Sequence, residues 1–546
     1  MKRKAVAAVL TAVMVASMFT GCGSDNGSSS AKSASAASAA SAANDTVDED
    51  GKVNGIMYQE GLPLVDEGDY TFSIFCDDSS ESGEFIMLDE FKKQTNVDVD
   101  LKIYPYETAT ERLNLELNSG DYADVIGGWT LSDNAILTYG VNQGVFIPLE
   151  DYFEKYCPNI SAILDLPGVR EKMTAPDGHI YTIPYVCTDT TVGYSPYINT
   201  KWLENVGMSM PTTTDEFEAV LKAFKEQDAN GNGDASDEIP FSTDPNNKHI
   251  EAMAGYFGLP MNKLGIAIQN EKVVYGGVSD TYREFLSWFH KLYAEGLVDV
   301  ELYTQDSSTW EGKGNQDLYG VSIAYGSNEF TGIPAAEERG DFDSMPVLNT
   351  DKDGIWLRDT EGFSVYRTQA VITNKAEHPE IICRWFDNAF ALENGIGCNR
   401  GPVGVIVNKE DDGYHAIDTT TLSEEDQEKY SWGNLWPQSL PKYLPVDFEF
   451  VEEHPMYDEK KATEEAYEAN LTKEIIPSYW IDLDKIDTFS DTNTAIKDFF
   501  EQQQAQFVCG ELDIDNDADW QAYVDGMYSL GLEDWVATQG IEEIAK

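Results

Sequence analysis

The chain has 546 residues, 42% hydrophobic, 12% aromatic and 25% charged. That balance is ordinary for a globular protein and excludes intrinsic disorder and collagen-like repeats. Against 37 basic residues stand 97 acidic ones, a formal charge of −60. A surface this negative repels phosphate backbones and anionic headgroups, which sets aside nucleic acid and electrostatic docking on lipid.

Taken from the start, Lys2, Arg3 and Lys4 form a basic stretch ahead of an apolar run over residues 5–19. The run has signal-peptide length and is too short and poorly flanked for a spanning helix. It closes on Phe19-Thr20-Gly21-Cys22, which resembles the bacterial lipoprotein signal, where cleavage precedes a cysteine that becomes lipidated. Leu is usual three residues before that cysteine, and Phe19 departs from it. Removing residues 1–21 as a signal peptide takes three positive charges and no acid, from −60 to −63. Residues 22–55 then read as a lipid-anchored tether, since 23–44 are nearly all Ser, Ala, Gly and Asn. About 25 residues of such coil reach on the order of 25–30 Å. The remaining cysteines, Cys76, Cys157, Cys187, Cys383, Cys398 and Cys509, are too dispersed for a disulfide framework or a zinc motif. They read as isolated buried thiols, with one or two bridges left open.

The folded part follows a βα pattern. Residues 70–75 read as a buried strand, followed by a helix over 83–94. Val97, Val99, Leu101 and Ile103 alternate with polar residues at the strand period of two. A helix over 107–117 and a strand over 123–127 follow. Strands alternating with helices predict a parallel sheet covered on both faces, with ligands beyond the carboxyl ends of the strands. Gly127-Gly128-Trp129 falls at that edge. Further on, Thr213 and Glu216 fit a capping box, and Phe217, Val220, Leu221 and Phe224 make a helical stripe. Residues 280–295 and 379–392 read as helices, 319–325 as a strand, and 473–546 as mainly helical. The length predicts two or more lobes rather than one core.

The sharpest local motif is the run Asp228-Ala229-Asn230-Gly231-Asn232-Gly233-Asp234, closed by Asp237 and Glu238. Oxygen side chains at positions 1, 3 and 5, a glycine at 6 and a backbone carbonyl at 7 match the first half of an EF-hand loop. A standard loop ends in Glu at position 12, where Ile239 stands, so the closing ligand comes from Asp237 or Glu238. Every candidate donor is oxygen, which fits calcium in a structural role: Asp228, Asn230, Asn232, Asp234, Asp237 and Glu238 are the expected ligands. The alternative is a solvated Asn/Gly turn.

Several segments together resemble the family 1 extracellular solute-binding proteins of bacterial ABC importers. They are Gly144-Val145-Phe146-Ile147-Pro148-Leu149, Pro176-Asp177-Gly178-His179-Ile180-Tyr181, Asn199-Thr200-Lys201-Trp202-Leu203, Pro211-Thr212-Thr213-Thr214-Asp215-Glu216-Phe217, and Phe507-Val508-Cys509-Gly510 with Trp520 to Tyr523. The cation loop resembles one in the large-oligosaccharide branch of that family. The resemblance implies a two-lobe α/β fold of the type II periplasmic-binding-protein kind, with an interlobe cleft and a hinge. By analogy lobe one comprises 60–188 plus 322–392, and lobe two 189–321 plus 393–546. It also implies no catalysis, an oligosaccharide ligand, delivery to ABC importer permease subunits, a monomer, and membrane contact through the lipid at Cys22 only.

Sugar rings present apolar C–H faces that stack on aromatic side chains. The candidate ligand contacts are Trp129, Tyr181, Tyr185, Trp310, Trp432 and Trp436, with Arg400 as a polar contact. A charge of −63 disfavours a polyanionic sugar, so a neutral glycan is expected. The rival readings are a surface-anchored glycosidase with paired carboxylates and a binder of another solute such as a peptide. With 97 acids any carboxylate spacing arises by chance, and no nucleophile elbow, HExxH or P-loop is present.

Overall fold

The computed structural model describes residues 45–78, 84–244, 250–332, 340–417, 419–451, 455–541 and 543–545. In chain order, the elements that build the site are β1 (Tyr70–Asp77), α1 (Ile86–Thr95), β2 (Val97–Tyr104), α2 (Tyr106–Ser119), β3 (Val125–Gly127), β4 (Tyr185–Thr188) and β5 (Ser195–Asn199). There follow α3 (Thr214–Glu226), β6 (Ile239–Thr243), α4 (Asp280–Ala294), β7 (Tyr319–Ala324), β8 (Phe342–Ser344), β9 (Phe363–Tyr366), β10 (Ala370–Ile372), α5 (Pro379–Ala389), α6 (Pro455–Tyr467) and α7 (Ile486–Cys509).

Two four-stranded sheets carry the chain. The first has the order β10-β3-β1-β2, with β1 parallel to β2 and β3 and with β10 antiparallel to β3. The second has the order β8-β5-β7-β6, with only β6 and β7 parallel. The expected all-parallel sheets are therefore mixed, because strands that return from the other lobe enter against the local direction. The pleat sorts β1 by period two: Phe72, Ile74 and Cys76 enter one core and Phe75 the other. Across the second sheet Ile198, Phe241, Val321 and Ile323 share one core, while Tyr197, Tyr319 and Ala324 face another.

Local chemistry explains the element ends. Thr213 accepts the Glu216 N–H at 3.2 Å as the α3 cap, but the Glu216 carboxylate reaches Thr212 rather than Thr213. The α1 helix stops at Asn96, whose φ of 59° is left-handed. The helix expected over 379–392 is α5, which ends at Ala389, and a further helix, Leu392–Arg400, follows it. The last helices run Ile486–Cys509, Asp517–Ser529 and Leu532–Thr538, while 473–482 is non-helical.

Core membership differs from the expected lobe division. Ile323, Met345, Leu348 and Trp356 pack with the second sheet, although the expected first lobe includes 322–362. Cys398, Trp436 and Leu440 pack with the first sheet, although 393–446 was assigned to the second. The reason is topological: the return crossing is β9, about forty residues later than expected, and the chain crosses again only after Val446.

The tether was expected to run to 55, yet the chain from 45 is already folded onto the first lobe. Val53, Met57, Leu64 and Val65 lie in its core. Asp45 accepts the Tyr156 hydroxyl at 2.9 Å, Asn54 donates to Glu380 at 3.0 Å, and Arg384 donates to the carbonyls of Tyr58 and Gly61. The signal segment, Cys22 and most of the tether lie outside the described residues. All six described cysteines are free thiols, four of them buried. Among the described residues no helix is long and apolar enough to cross a membrane.

Candidate functional site

The carboxyl ends of β1 and β3 meet at a tight turn. Asp77, fully buried, accepts the Trp129 N–H at 3.0 Å and the Thr130 N–H at 2.6 Å, while Gly128 donates to the Gln369 carbonyl at 2.8 Å. Gly128 sits at φ 133°, and a Cβ there would run into the Asp77 carboxylate. Only glycine lets the backbone approach so closely. The result is a fixed turn that leaves the Trp129 indole 46% exposed.

That indole stands edge-on to Tyr366, centroids 5.4 Å apart at 86°, and 6.4 Å from Tyr185. Tyr185 and Tyr366 are register partners on the antiparallel β4–β9 ribbon that joins the lobes, and their rings stack at 5.5 Å. Cys187 and Ser364 follow on the same ribbon face by alternation. Beyond them Asp189 accepts from Ser364 Oγ at 2.6 Å, Tyr325 OH at 3.1 Å, Tyr366 OH at 3.4 Å and its neighbour Thr190 N–H at 2.8 Å. The shelf thus passes from aromatic to polar across the junction. Burial holds the hydroxyls of Tyr185, Tyr325 and Tyr366 protonated, well above their ordinary value.

The second lobe brings further aromatic and cationic groups to the junction. Tyr194, just before β5, and Tyr325, just after β7, lie 6.1 Å apart at one edge of the sheet because β5 and β7 are antiparallel. Lys460 of α6 places its ammonium 3.6 Å from the Tyr325 centroid and donates to the Gly193 carbonyl at 3.0 Å. Asp359 accepts the Gly193 N–H at 2.7 Å, so both backbone groups of Gly193 are held, each by a different segment. Burial pulls Lys460 down to about 8, against the opposing fields of Glu329, Glu459 and Asp189.

A second exposed indole belongs to the first lobe. Trp432 is 54% exposed. Gln438 donates to its carbonyl at 2.9 Å and takes its own place from Asp78, which accepts the Gln438 N–H at 2.7 Å. Beneath it Lys442 is buried, donates to Gln438 Oε1 at 2.5 Å, and sits 5.1 Å from the Trp432 ring. Burial lowers that amine to about 8.

Of the aromatics expected to meet a ligand, Trp129 and Tyr185 come together and Trp432 is exposed on the same lobe. Three are corrected. Trp436 is fully buried, stacked on Trp385 at 5.7 Å. Trp310 is 3% exposed and its indole N–H is spent on Ser322 at 3.2 Å. Tyr181 is buried against the first sheet with its hydroxyl on Asp177 at 2.7 Å. Each has its faces covered by core side chains. Arg400 ends the Leu392–Arg400 helix and lies over Phe450 at 5.7 Å. Tyr366, Tyr325, Tyr194 and Lys460 were not anticipated; strand pairing and crossing segments bring them in, and no local signal marks them.

The oxygen-rich loop connects α3 to β6. Asp228 Oδ2 accepts the Gly233 N–H at 2.9 Å, Asn230 and Asn232 form successive Asx turns, and Glu238 Oε1 accepts the Ala229 N–H at 2.8 Å. Asp237 faces the amides of Asn230 and Asn232 at 3.3 and 2.7 Å, and Asp234 takes Ser236. Two carboxylate oxygens, Asp228 Oδ1 and Glu238 Oε2, are buried without a hydrogen-bond partner. Unmet buried carboxylate oxygens from the two ends of one tight loop are what a hard cation requires. The donor set therefore fits calcium.

Comparison with known proteins matches residues 78–395 to a family model described as bacterial extracellular solute-binding protein. The chain is 31% identical over 411 residues to the fructooligosaccharide ABC transporter substrate-binding protein FusA of Streptococcus pneumoniae, covering 73% of this chain and 70% of that one. It is 28% identical over 280 residues to the lipoprotein LipO of Bacillus subtilis, about half of each chain. Among solved structures, an S. pneumoniae FusA EF-hand mutant with fructo-nystose superposes with a TM-score of 0.75 at 27% identity, covering 86% of this chain and 98% of that one.

Proposed function

The chain belongs to the bacterial extracellular solute-binding proteins, and on that footing we propose that it captures a neutral oligosaccharide between its lobes and delivers it to the permease of an ABC importer. Its two sheets and connecting ribbon are the two-lobe type II periplasmic-binding-protein fold with a hinge and an interlobe cleft. The observation that carries the reading is the shelf of Trp129, Tyr185 and Tyr366 on and beside the ribbon that joins the lobes. The exposed Trp129 indole, with the half-buried Tyr366 and the buried Tyr185 packed against it, suits the C–H face of a sugar, and the Asp189–Ser364–Tyr325 network beside them suits its hydroxyls. The relative FusA is named for fructooligosaccharides, which makes that class the first to test.

We assign the first lobe to 45–188 and 363–446 and the second to 189–362 and 455–541, following the cores each segment enters. Closure about the ribbon brings Tyr194, Tyr325 and Lys460 toward the shelf and shields the sugar from water. No bond of the sugar is broken: the family members compared are binding proteins, and the carboxylates here hold backbone and hydroxyl groups in place. Calcium in the loop of Asp228 and Glu238 fixes the entry to β6, and a solved EF-hand mutant of FusA offers a precedent. The lipid anchor at Cys22 holds the protein at the extracytoplasmic face of the cell membrane.

Calorimetric titration of the purified protein with kestose and a panel of neutral oligosaccharides tests the reading. Saturable binding without turnover supports it. Hydrolysis of the sugar, or no binding across the panel, overturns it.

A further inference from the structure

Between α6 and α7 the chain touches both lobes in turn. Residues 470–472 run beside Trp356 on the second lobe, where Trp356 N–H donates to the Asn470 carbonyl at 2.8 Å and Thr472 N–H to the Trp356 carbonyl at 2.9 Å. Ile476 packs on the second core. Tyr479 lies against Gly540 of the second lobe, where a Cβ would come within 2.7 Å of its ring. The next residue, Trp480, turns to the first lobe: its indole N–H donates to the Lys172 carbonyl at 3.1 Å, and its ring packs on the first sheet's second core. Ile481 and Ile486 join Leu137 in a small core of their own, and Phe489 touches both sides. Residues 473–485 are thus a strap stitched to each lobe by neighbouring side chains.

One buried cation joins this strap to the shelf. Arg367 is 6% exposed and immediately follows Tyr366. Its Nε and Nη2 donate to the two oxygens of Asp133 at 2.8 and 2.5 Å, in the forked geometry peculiar to arginine. Nη2 also donates to the Tyr479 carbonyl at 2.9 Å and Nη1 to the Ser478 carbonyl at 3.5 Å, while the guanidinium lies 4.1 Å from the Trp480 ring centroid. Asp133 opens the short helix Asp133–Ala135 capped by Ser132. The loop bearing Trp129 is therefore held at its front by Asp77 and at its back by Arg367.

We infer that Arg367 is a positioning residue for ligand capture: it fastens the strap of residues 473–485 to the Trp129 loop, so that the platform holds its geometry only while the strap is docked. This rests on the reading that Trp129 meets the ligand. By linkage, whatever steadies the platform also steadies the strap, and the reverse.

Hydrogen exchange of the ligand-free full chain, with kestose titration alongside, tests this. Gly540→Ala, which strains the left-handed turn at φ 65° and crowds Tyr479 from the second lobe, should speed exchange over 476–486 and also over 128–135 on the other lobe, each about tenfold, and weaken kestose about tenfold. Trp480→Ala should do the same, with Trp480→Phe restoring most of the protection and affinity. Arg367→Lys should lose both because an ammonium cannot fork. Faster exchange confined to the strap with kestose affinity intact, or no change in either segment, overturns the inference. If the wild type takes no kestose, the sugar reading fails, while exchange in the ligand-free protein still decides the role of Arg367.

Discussion

Asp77 and Asp78 stand side by side at the end of β1, and each secures one exposed indole: Asp77 through the Trp129 backbone, Asp78 through Gln438 to Trp432. Replacing Asp77 with Asn leaves one of two backbone donors unmet, at a cost of about 1–3 kcal/mol in a buried site, and loosens the Trp129 turn. Trp129→Ala should weaken sugar affinity by about 1–3 kcal/mol, by analogy with bases stacked on aromatic side chains, and leave the melting temperature within a few degrees; calorimetry and a thermal melt read both. Lys442 gives a pH test. Its folded pKa of about 8 lies below the ordinary lysine value, so the stability it contributes is present above the unfolded pKa and lost as pH falls through 8. Between pH 7 and 9.5 the wild type should gain on the order of 2 kcal/mol relative to Lys442→Met, read as convergence or crossing of their denaturation midpoints. Gly127-Gly128-Trp129 was legible at the carboxyl edge of the sheet because it lies directly at the end of a strand of the βα pattern. Trp310 and Trp436 were not separable from it by sequence, since an indole in a polar stretch reads alike whether its faces are covered or bare.

At the scale of elements, the turn between α3 and β6 was legible, because the Asn, Asp and Gly spacing that bends it is local. Its two unpartnered carboxylate oxygens predict that chelation lowers the melting temperature, by the roughly 2.7 kcal/mol that a hundredfold ligand excess supplies. Asp228→Ala should abolish that sensitivity, measured by melting with and without chelator. The helix α3 was likewise legible from period and cap, and a helix was expected over α4. The crossings were not. Whether 322–362 belongs with the first or second sheet depends on β7 pairing with β5 and β6, a choice between partners more than a hundred residues apart in one case, which no local pattern encodes.

For the whole molecule, closure on a sugar removes apolar surface from water on both walls, so titrations at several temperatures should give a negative heat-capacity change. Replacing Cys22 with Ser should move the protein from the membrane fraction into the surrounding medium, read by fractionation; equal retention of both forms would count against the anchor.

The folded arm over residues 45–65 has a mechanical consequence. Asp45, Asn54 and the carbonyls that receive Arg384 all fasten to the first lobe, so tension arriving along the chain from its amino end enters that lobe before it reaches the β4–β9 ribbon. Only drag on the second lobe loads the hinge, through the β4–β9 ribbon and the strap of residues 473–485. A pull from the amino end is thus taken up first by the lobe that carries Trp129, and the second lobe moves relative to it only as far as the ribbon and the strap allow.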